Sequence, residues 1–152
     1  MTSANLGAML LIENSAGRGN ELGYRLEHIA KLLDDIGDEH LGVCIDLCHA
    51  FAAGYDIHSY KGFERFWSDF ERIIGISHLR AIHLSDCKGA LGMHVDRHES
   101  LGKGFIGMRA FKLIARDARF ATVPKILETP HHELHATELR ILRNLMWNCP
   151  IP

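Results

Sequence analysis

Seven acidic and histidine residues, Glu13, Asp46, His49, His83, Asp96, His98 and Glu128, are of the types that bind divalent metal ions. Their placement is what gives them meaning. Leu10-Leu11-Ile12 leads into Glu13, Val43-Cys44-Ile45 into Asp46, Ala81-Ile82 into His83, and Lys125-Ile126-Leu127 into Glu128. Each apolar run reads as a short buried strand that ends on a ligand. In parallel α/β sheets and (β/α) barrels, side chains from distant parts of the sequence converge on the rim formed by the carboxyl ends of the strands. The pattern predicts a metal-dependent hydrolytic site.

The remaining candidates follow from local spacing. His49 stands just beyond Asp46 in Asp-Leu-Cys-His, one loop-turn past the strand tip. Asp96 and His98 flank Arg97, and residues i and i+2 of an extended segment point the same way, so the pair can share one ion. Together these carboxylates and imidazoles exceed what one four-coordinate ion needs, which predicts a cluster. A carboxylate such as Glu13 can bridge two ions, and ions about 3.5 to 4 Å apart can clamp the attacking and leaving oxygens of a phosphodiester. Mixed oxygen and nitrogen ligation suits Zn²⁺ or Mn²⁺ better than Mg²⁺. The other histidines, His28, His40, His58, His78, His94, His131, His132 and His135, read as capping or surface groups. Cys44, Cys48, Cys87 and Cys149 lack the paired spacing of a thiolate zinc site and read as small hydrophobes.

A repeated strand-then-helix rhythm must carry these residues. Strands are expected over about 8–13, Leu41–Asp46, Leu79–Leu84 and Val123–Glu128, and helices over Leu22–Leu33, Phe63–Ile74, Met108–Arg116 and Glu133–Met146. Phe63, Phe66, Trp67 and Phe70 form an aromatic stripe that reads as helix-to-sheet core. Residues 49 to about 60 read as a long loop or short helix. The polar stretch from Ser85 to Gly107 is too long for an idle connection and holds two candidate ligands, so it reads as a functional loop. Four βα units in succession predict a parallel sheet with right-handed crossovers. Gly102-Lys103-Gly104-Phe105-Ile106-Gly107 has the spacing of a dinucleotide-binding turn but does not follow a strand, and its glycines read instead as letting backbone N–H groups approach a phosphate.

Composition is that of an ordinary globular protein. The 152 residues are 47% hydrophobic and 24% charged, with a net charge of −2 and an isoelectric point near 6.6. Nothing global marks a nucleic-acid binder, although Lys88, Arg97 and Lys103 could form a local basic rim. No apolar stretch is long enough to cross a bilayer, and no signal-peptide pattern opens the chain, so a cytoplasmic protein with no membrane partner is expected. No linker or repeat divides residues 1–152, which read as one domain.

Several segments resemble the signatures of the endonuclease IV family, AP endonuclease family 2. They are Leu11-Ile12-Glu13-Asn14-Ser15-Ala16-Gly17, Gly42-Val43-Cys44-Ile45-Asp46-Leu47-Cys48-His49, the run from Ile82-His83-Leu84-Ser85-Asp86 to Gly92, Val95-Asp96-Arg97-His98, and Ile126-Leu127-Glu128-Thr129-Pro130. Leu47 and Ser85 depart from that pattern, where Thr and Asn are usual, and neither is a ligand position. The resemblance implies a (β/α)8 TIM barrel of which this chain is the C-terminal half, four parallel strand-helix units. It implies a trinuclear Zn²⁺ site and cleavage of double-stranded DNA 5′ to abasic sites. Glu13 would bridge two ions, Asp46, His83 and Glu128 would complete one of them, and His49, Asp96 and His98 would hold the third. Glu13 and Glu128 are the expected catalytic carboxylates, with Lys88, Arg97 and Lys103 on the DNA phosphates. Two histidines of the remaining ion belong to the other half of the barrel, so up to two ions are expected here.

Two other readings stay open. A sugar isomerase or epimerase similar to the xylose isomerase group uses the same barrel and ligand types but needs fewer ligands than His49, Asp96 and His98 add. A non-catalytic metal- or DNA-binding remnant is the alternative from outside the enzymes. A half barrel also leaves open sheet edges, so self-association, or a longer parent chain, is expected.

Overall fold

The computed structural model describes residues 8–147. In chain order its elements begin with β1 (Leu10–Glu13), α1 (Leu26–Ile36), β2 (Leu41–Asp46), α2 (Leu47–Ala52), α3 (Tyr60–Ile73) and β3 (Leu79–Leu84). They continue with β4 (Asp86–Cys87), β5 (His98–Glu99), α4 (Met108–Arg116), β6 (Lys125–Leu127) and α5 (His135–Trp147). The four longer strands form one parallel sheet in the order β1-β2-β3-β6, and β4 and β5 form a separate antiparallel pair. This is the expected α/β architecture of a partial barrel. Among the described residues no helix is long and apolar enough to cross a membrane.

The sheet's helix-facing side makes the core. Val43, Ile45, Ile82 and Leu84 are buried beneath Ile29 of α1, Phe111 and Ile114 of α4, and the aromatic stripe of α3. Trp67 stands at its centre, with ring centroids 5.0 Å from Phe66, 5.5 Å from Phe70 and 4.4 Å from Phe120. Every residue of β2 is buried because strands flank it on both sides.

Helix boundaries depart from the periodic pattern where side chains recruit the backbone first. Ser15 holds residues 22 and 23 in a loop: its Oγ donates to the Leu22 carbonyl at 2.8 Å and its N–H to the Gly23 carbonyl. Gly23 has a φ of 89°, and Leu22 is 73% exposed, so α1 starts at Leu26 rather than at Leu22. At its other end Gly37, with φ 62°, gives the left-handed cap that returns its N–H to Leu33. Ser59 accepts the Gly62 N–H at 3.0 Å and starts α3 three residues before Phe63.

The polar stretch after β3 is a folded hairpin with an anchored return. Asp86 pairs with Glu99 and Cys87 with His98. The Asp86 carboxylate is fully buried and accepts the N–H groups of Cys87 at 2.8 Å, Ile106 at 2.9 Å and Gly107 at 3.2 Å. The glycine-rich run therefore turns its donors inward onto an internal carboxylate, which corrects the expectation that they approach a phosphate. The same geometry that would bind a phosphate oxygen binds a carboxylate oxygen. Gly104 is required for this approach, since a Cβ there would lie 2.3 Å from the Cys87 carbonyl oxygen and 2.6 Å from Asp86 Oδ1.

Gly104→Ala is expected to destabilise the chain by about 1–3 kcal/mol, the usual range for forced overpacking. A lowered urea midpoint at unchanged m-value is the measurement that checks it.

Candidate metal centre

The parallel register assembles the centre. Asp46 pairs with His83 across β2 and β3, Glu13 with Cys44 across β1 and β2, and Leu84 with Leu127 across β3 and β6. The last residues of adjacent strands thus reach one rim. Glu128, just past β6, is held there by its N–H to the Leu84 carbonyl at 3.1 Å.

Seven side chains divide there into two groups. Glu13, Asp46, His83 and Glu128 each offer one ligand atom, and these atoms lie within 4.8 Å of one another. His83 Nδ1 is 3.1 Å from Glu13 Oε1 and 3.1 Å from Glu128 Oε1. His49, Asp96 and His98 form the second group. Here His49 Nε2 lies 3.3 Å from Asp96 Oδ1, His98 Nε2 lies 3.4 Å from the same oxygen, and the two Nε2 atoms are 3.4 Å apart. The groups adjoin, with His49 Nδ1 3.5 Å from Glu13 Oε1.

The second group has the chemistry of a cation site. His49 Nδ1 contacts the Asn14 carbonyl at 2.9 Å and His98 Nδ1 the Glu128 carbonyl at 2.8 Å. A carbonyl only accepts, so both Nδ1 atoms carry the hydrogen and both Nε2 atoms are turned toward the Asp96 carboxylate and each other. At 3.4 Å either a proton or a cation can sit between the two Nε2 atoms, and the Asp96 oxygen facing both suits a cation. Tetrahedral zinc bonds of about 2.0–2.1 Å imply ligand-to-ligand edges of roughly 3.3–3.4 Å, the separation of all three atoms here. In the first group Asp46 Oδ2 is buried without a hydrogen-bond partner among the described residues, and that oxygen also invites a cation.

Electrostatics reinforce the geometry. Burial pushes the Asp46 carboxyl up, against the pull of His49 and His98. Burial also favours neutral Glu13, but the His83 hydrogen bond and neighbouring imidazoles outweigh it and hold that carboxyl below its ordinary value. His49 is desolvated, yet Asp46 and Asp96 raise it. The Cys44 sulfur and the Glu13 carboxylate push His83 up to about 11. Cys48 lies near Asp46 and His98, but its hydrogen bond to Cys87, with burial, pushes its thiol up, so a thiolate ligand is disfavoured. Cys44, Cys48 and Cys87 are buried as free thiols, and Cys149 lies outside the described residues.

Comparison with known proteins places the chain in a family. The family model described as xylose isomerase-like TIM barrel, that of AP endonuclease 2, matches residues 3–147. "Probable endonuclease 4" of Campylobacter curvus (strain 525.92) is 48% identical over 140 residues, covering 91% of this chain and 50% of the relative. The crystal structure of endonuclease IV from Thermus thermophilus superimposes with a TM-score of 0.81 at 38% identity, over 91% of this chain and 49% of that one. The chain belongs to the endonuclease IV family. The structure of AsfvAP:AG shares the fold, with a TM-score of 0.72 at 21% identity over 93% of this chain and 54% of that one. The chain spans about half the length of the relatives it matches.

In this endonuclease IV family member one structural residue of the centre went unread in the sequence. Asn14 brackets the Asp46 backbone, its Oδ1 accepting the Asp46 N–H at 2.7 Å and its Nδ2 donating to the Asp46 carbonyl at 3.1 Å. Burial next to Glu13 was its signal, and an amide beside a strand-end acid carries no periodicity. Of the three rim cations, Lys88 and Arg97 face each other across the hairpin through the Lys88 N–H to Arg97 carbonyl bond. Both are exposed, as is Lys103, and Lys88 Nζ lies 3.6 Å from Glu99 Oε2.

A cation entering beside His83 must displace the proton that its neighbours hold on it below pH about 11. Zn²⁺ affinity is expected to rise as pH increases across the neutral range, with proton release on binding. Calorimetric titration in two buffers of different ionisation enthalpy checks the release, and pH-independent heats and affinity contradict it.

Proposed function

We propose that this chain is the half of a DNA-repair endonuclease that carries most of the metal centre, acting on the phosphodiester 5′ to an abasic site in double-stranded DNA. The observation that carries the reading is the pair of adjoining ligand groups. A single sugar-isomerase type site has no use for His49, Asp96 and His98, whereas a phosphodiester has two oxygens to stabilise. Zn²⁺ ions bound in the two groups, or Mn²⁺ in their place, would supply positive charge at the phosphoryl oxygens and acidify a water.

The chain's own residues perform the rest. Glu13 faces both groups and would be shared between them, with Asp46, His83 and Glu128 the residues that would hold one cation and His49, Asp96 and His98 the other. The backbone carbonyls of Asn14 and Glu128 keep the His49 and His98 rings oriented with Nε2 inward. Glu13 and Glu128 present their carboxylates at the open rim, each about a third exposed, where an attacking water would be oriented. Lys88, Arg97 and Lys103 would contact DNA phosphates, which positions a duplex without reading its sequence. Residues 1–152 act as one half-barrel domain of a cytoplasmic protein. A third ion, which the family resemblance implies, would take two histidines from the other half, so this half would hold up to two ions. Self-association follows from the open outer strands.

The test is nicking of a duplex bearing one abasic site. The isolated chain is expected to cleave little and to sediment as a self-associated species. Addition of the N-terminal half of a homologous endonuclease should restore cleavage, and His98→Ala should lower that restored rate by orders of magnitude. Full activity of a monomeric isolated chain contradicts the account. So does failure to cleave once the two halves associate and hold zinc.

A further inference from the structure

The one acidic residue buried on α5 has no place in the centre itself. Glu138 is 4% exposed, while its helix neighbours Thr137 and Leu139 are exposed. Its Oε1 accepts the Leu101 N–H at 2.9 Å and its Oε2 accepts the Thr129 hydroxyl at 2.5 Å. Both donors are neutral and buried, Leu101 at 5% and Thr129 at 2% exposure. Desolvating a carboxylate for two neutral donors is a poor route to stability, since an apolar residue of similar volume does as well or better. Such an arrangement gains something other than stability.

The gain is visible in the path it closes. From Glu138 the Thr129 hydrogen bond leads to Thr129, and one peptide bond leads on to Glu128. The Glu128 carbonyl accepts from His98 Nδ1 at 2.8 Å. From His98 the chain runs through Glu99 and Ser100 to Leu101, whose N–H returns to Glu138. His135, on the same helix, adds a contact from Nε2 to the Thr129 carbonyl at 3.0 Å. The circuit ties one residue of each ligand group to the other, because Glu128 belongs to the first group and His98 to the second. It also fixes the His98 tautomer, since the carbonyl that accepts from Nδ1 sits inside the circuit.

The structure assigns to Glu138 the role of a positioning residue: it locks the Glu128 and His98 segments together and so sets the separation and orientation of the two metal-ligand groups. This rests on the metal-centre reading above. Cutting the circuit at Glu138 leaves every ligand in place but frees their backbones from each other. Outer partners of metal ligands typically change metal affinity about 10- to 100-fold when removed.

The test is Zn²⁺ affinity of the full chain by chelator competition, in Glu138→Ala and Glu138→Gln. The glutamine variant keeps an acceptor for Leu101 and a partner for Thr129. A loss of about 10- to 100-fold in the alanine variant, rescued to near wild type by glutamine, supports the role. Unchanged affinity in folded Glu138→Ala overturns it, as does an equal loss in both variants. Should Glu138→Ala fail to fold, Thr129→Val removes one bond of the circuit and decides in its place: weakened Zn²⁺ binding supports the role and unchanged binding overturns it. A wild-type chain that takes up no metal strikes the metal-centre reading instead. Amide exchange at Leu101 then judges the clamp, where faster exchange in Glu138→Ala or Thr129→Val sustains it and unchanged protection removes it.

Discussion

A carboxylate sealed from water must be matched by donors or by positive charge, and Asp46 receives only part of that match from the chain. Its Oδ1 accepts the His49 N–H at 2.7 Å, and its Oδ2 has no hydrogen-bond partner among the described residues. Much of the local structure exists to hold this group in place. Asn14 brackets its backbone, β1 and β3 flank its strand, and α2 begins on it, so one residue ends a strand, caps a helix and faces both ligand groups. His98 Nε2 is 3.9 Å from the orphan oxygen, close enough for attraction and too far for a hydrogen bond. A divalent cation between the two would remove the mismatch. The cost of burying Asp46 and the proposed metal binding would then be two sides of one arrangement.

The convergence of these side chains on one rim was legible in the sequence because each strand end is marked by a change of type, from an apolar run to an acid or imidazole. Strand register then has no freedom, since a shift by one residue would turn Val43 and Ile45 away from the helices that bury them and Asp46 away from the rim. The Asp96 and His98 pairing was legible for a similar reason, as i and i+2 residues of an extended segment do share a side. The aromatic stripe of α3 was equally plain: Phe63, Phe66, Trp67 and Phe70 are all buried.

What escaped the sequence was decided by single hydrogen bonds. The start of α1 was shifted by Ser15, whose bonds to Leu22 and Gly23 outweigh four residues of helical periodicity. The β4–β5 hairpin has two-residue strands, too short to show any alternation. The donors of the glycine-rich run were recognisable, but their acceptor was not, because Asp86 lies about twenty residues away and only the folded hairpin brings it near. His49 belongs to the same class. Its spacing suggests a loop-turn beyond the strand tip, and it is instead the third residue of α2, aimed by the Asp46 cap.

The two carboxylates nearest the open rim come from the two least supported strands. Among the described residues β1 pairs only with β2, and β6 only with β3. Their side chains show it: Leu10 is 69% exposed and Ile126 is 46% exposed, each forgoing part of the roughly 1.5–3 kcal/mol that full burial is worth. Yet Glu13 from β1 and Glu128 from β6 converge on the same His83 nitrogen across the intervening strands. The sheet must therefore curve for the first ligand group to close, and curvature is what a barrel demands of it. A cation drawing Glu13 and Glu128 together and a second half barrel pairing with the outer strands act on the same bend. By linkage, whichever binds first lowers the work left for the other. Metal binding and completion of the barrel, both proposed above, would then be coupled through the curvature of the four-stranded sheet.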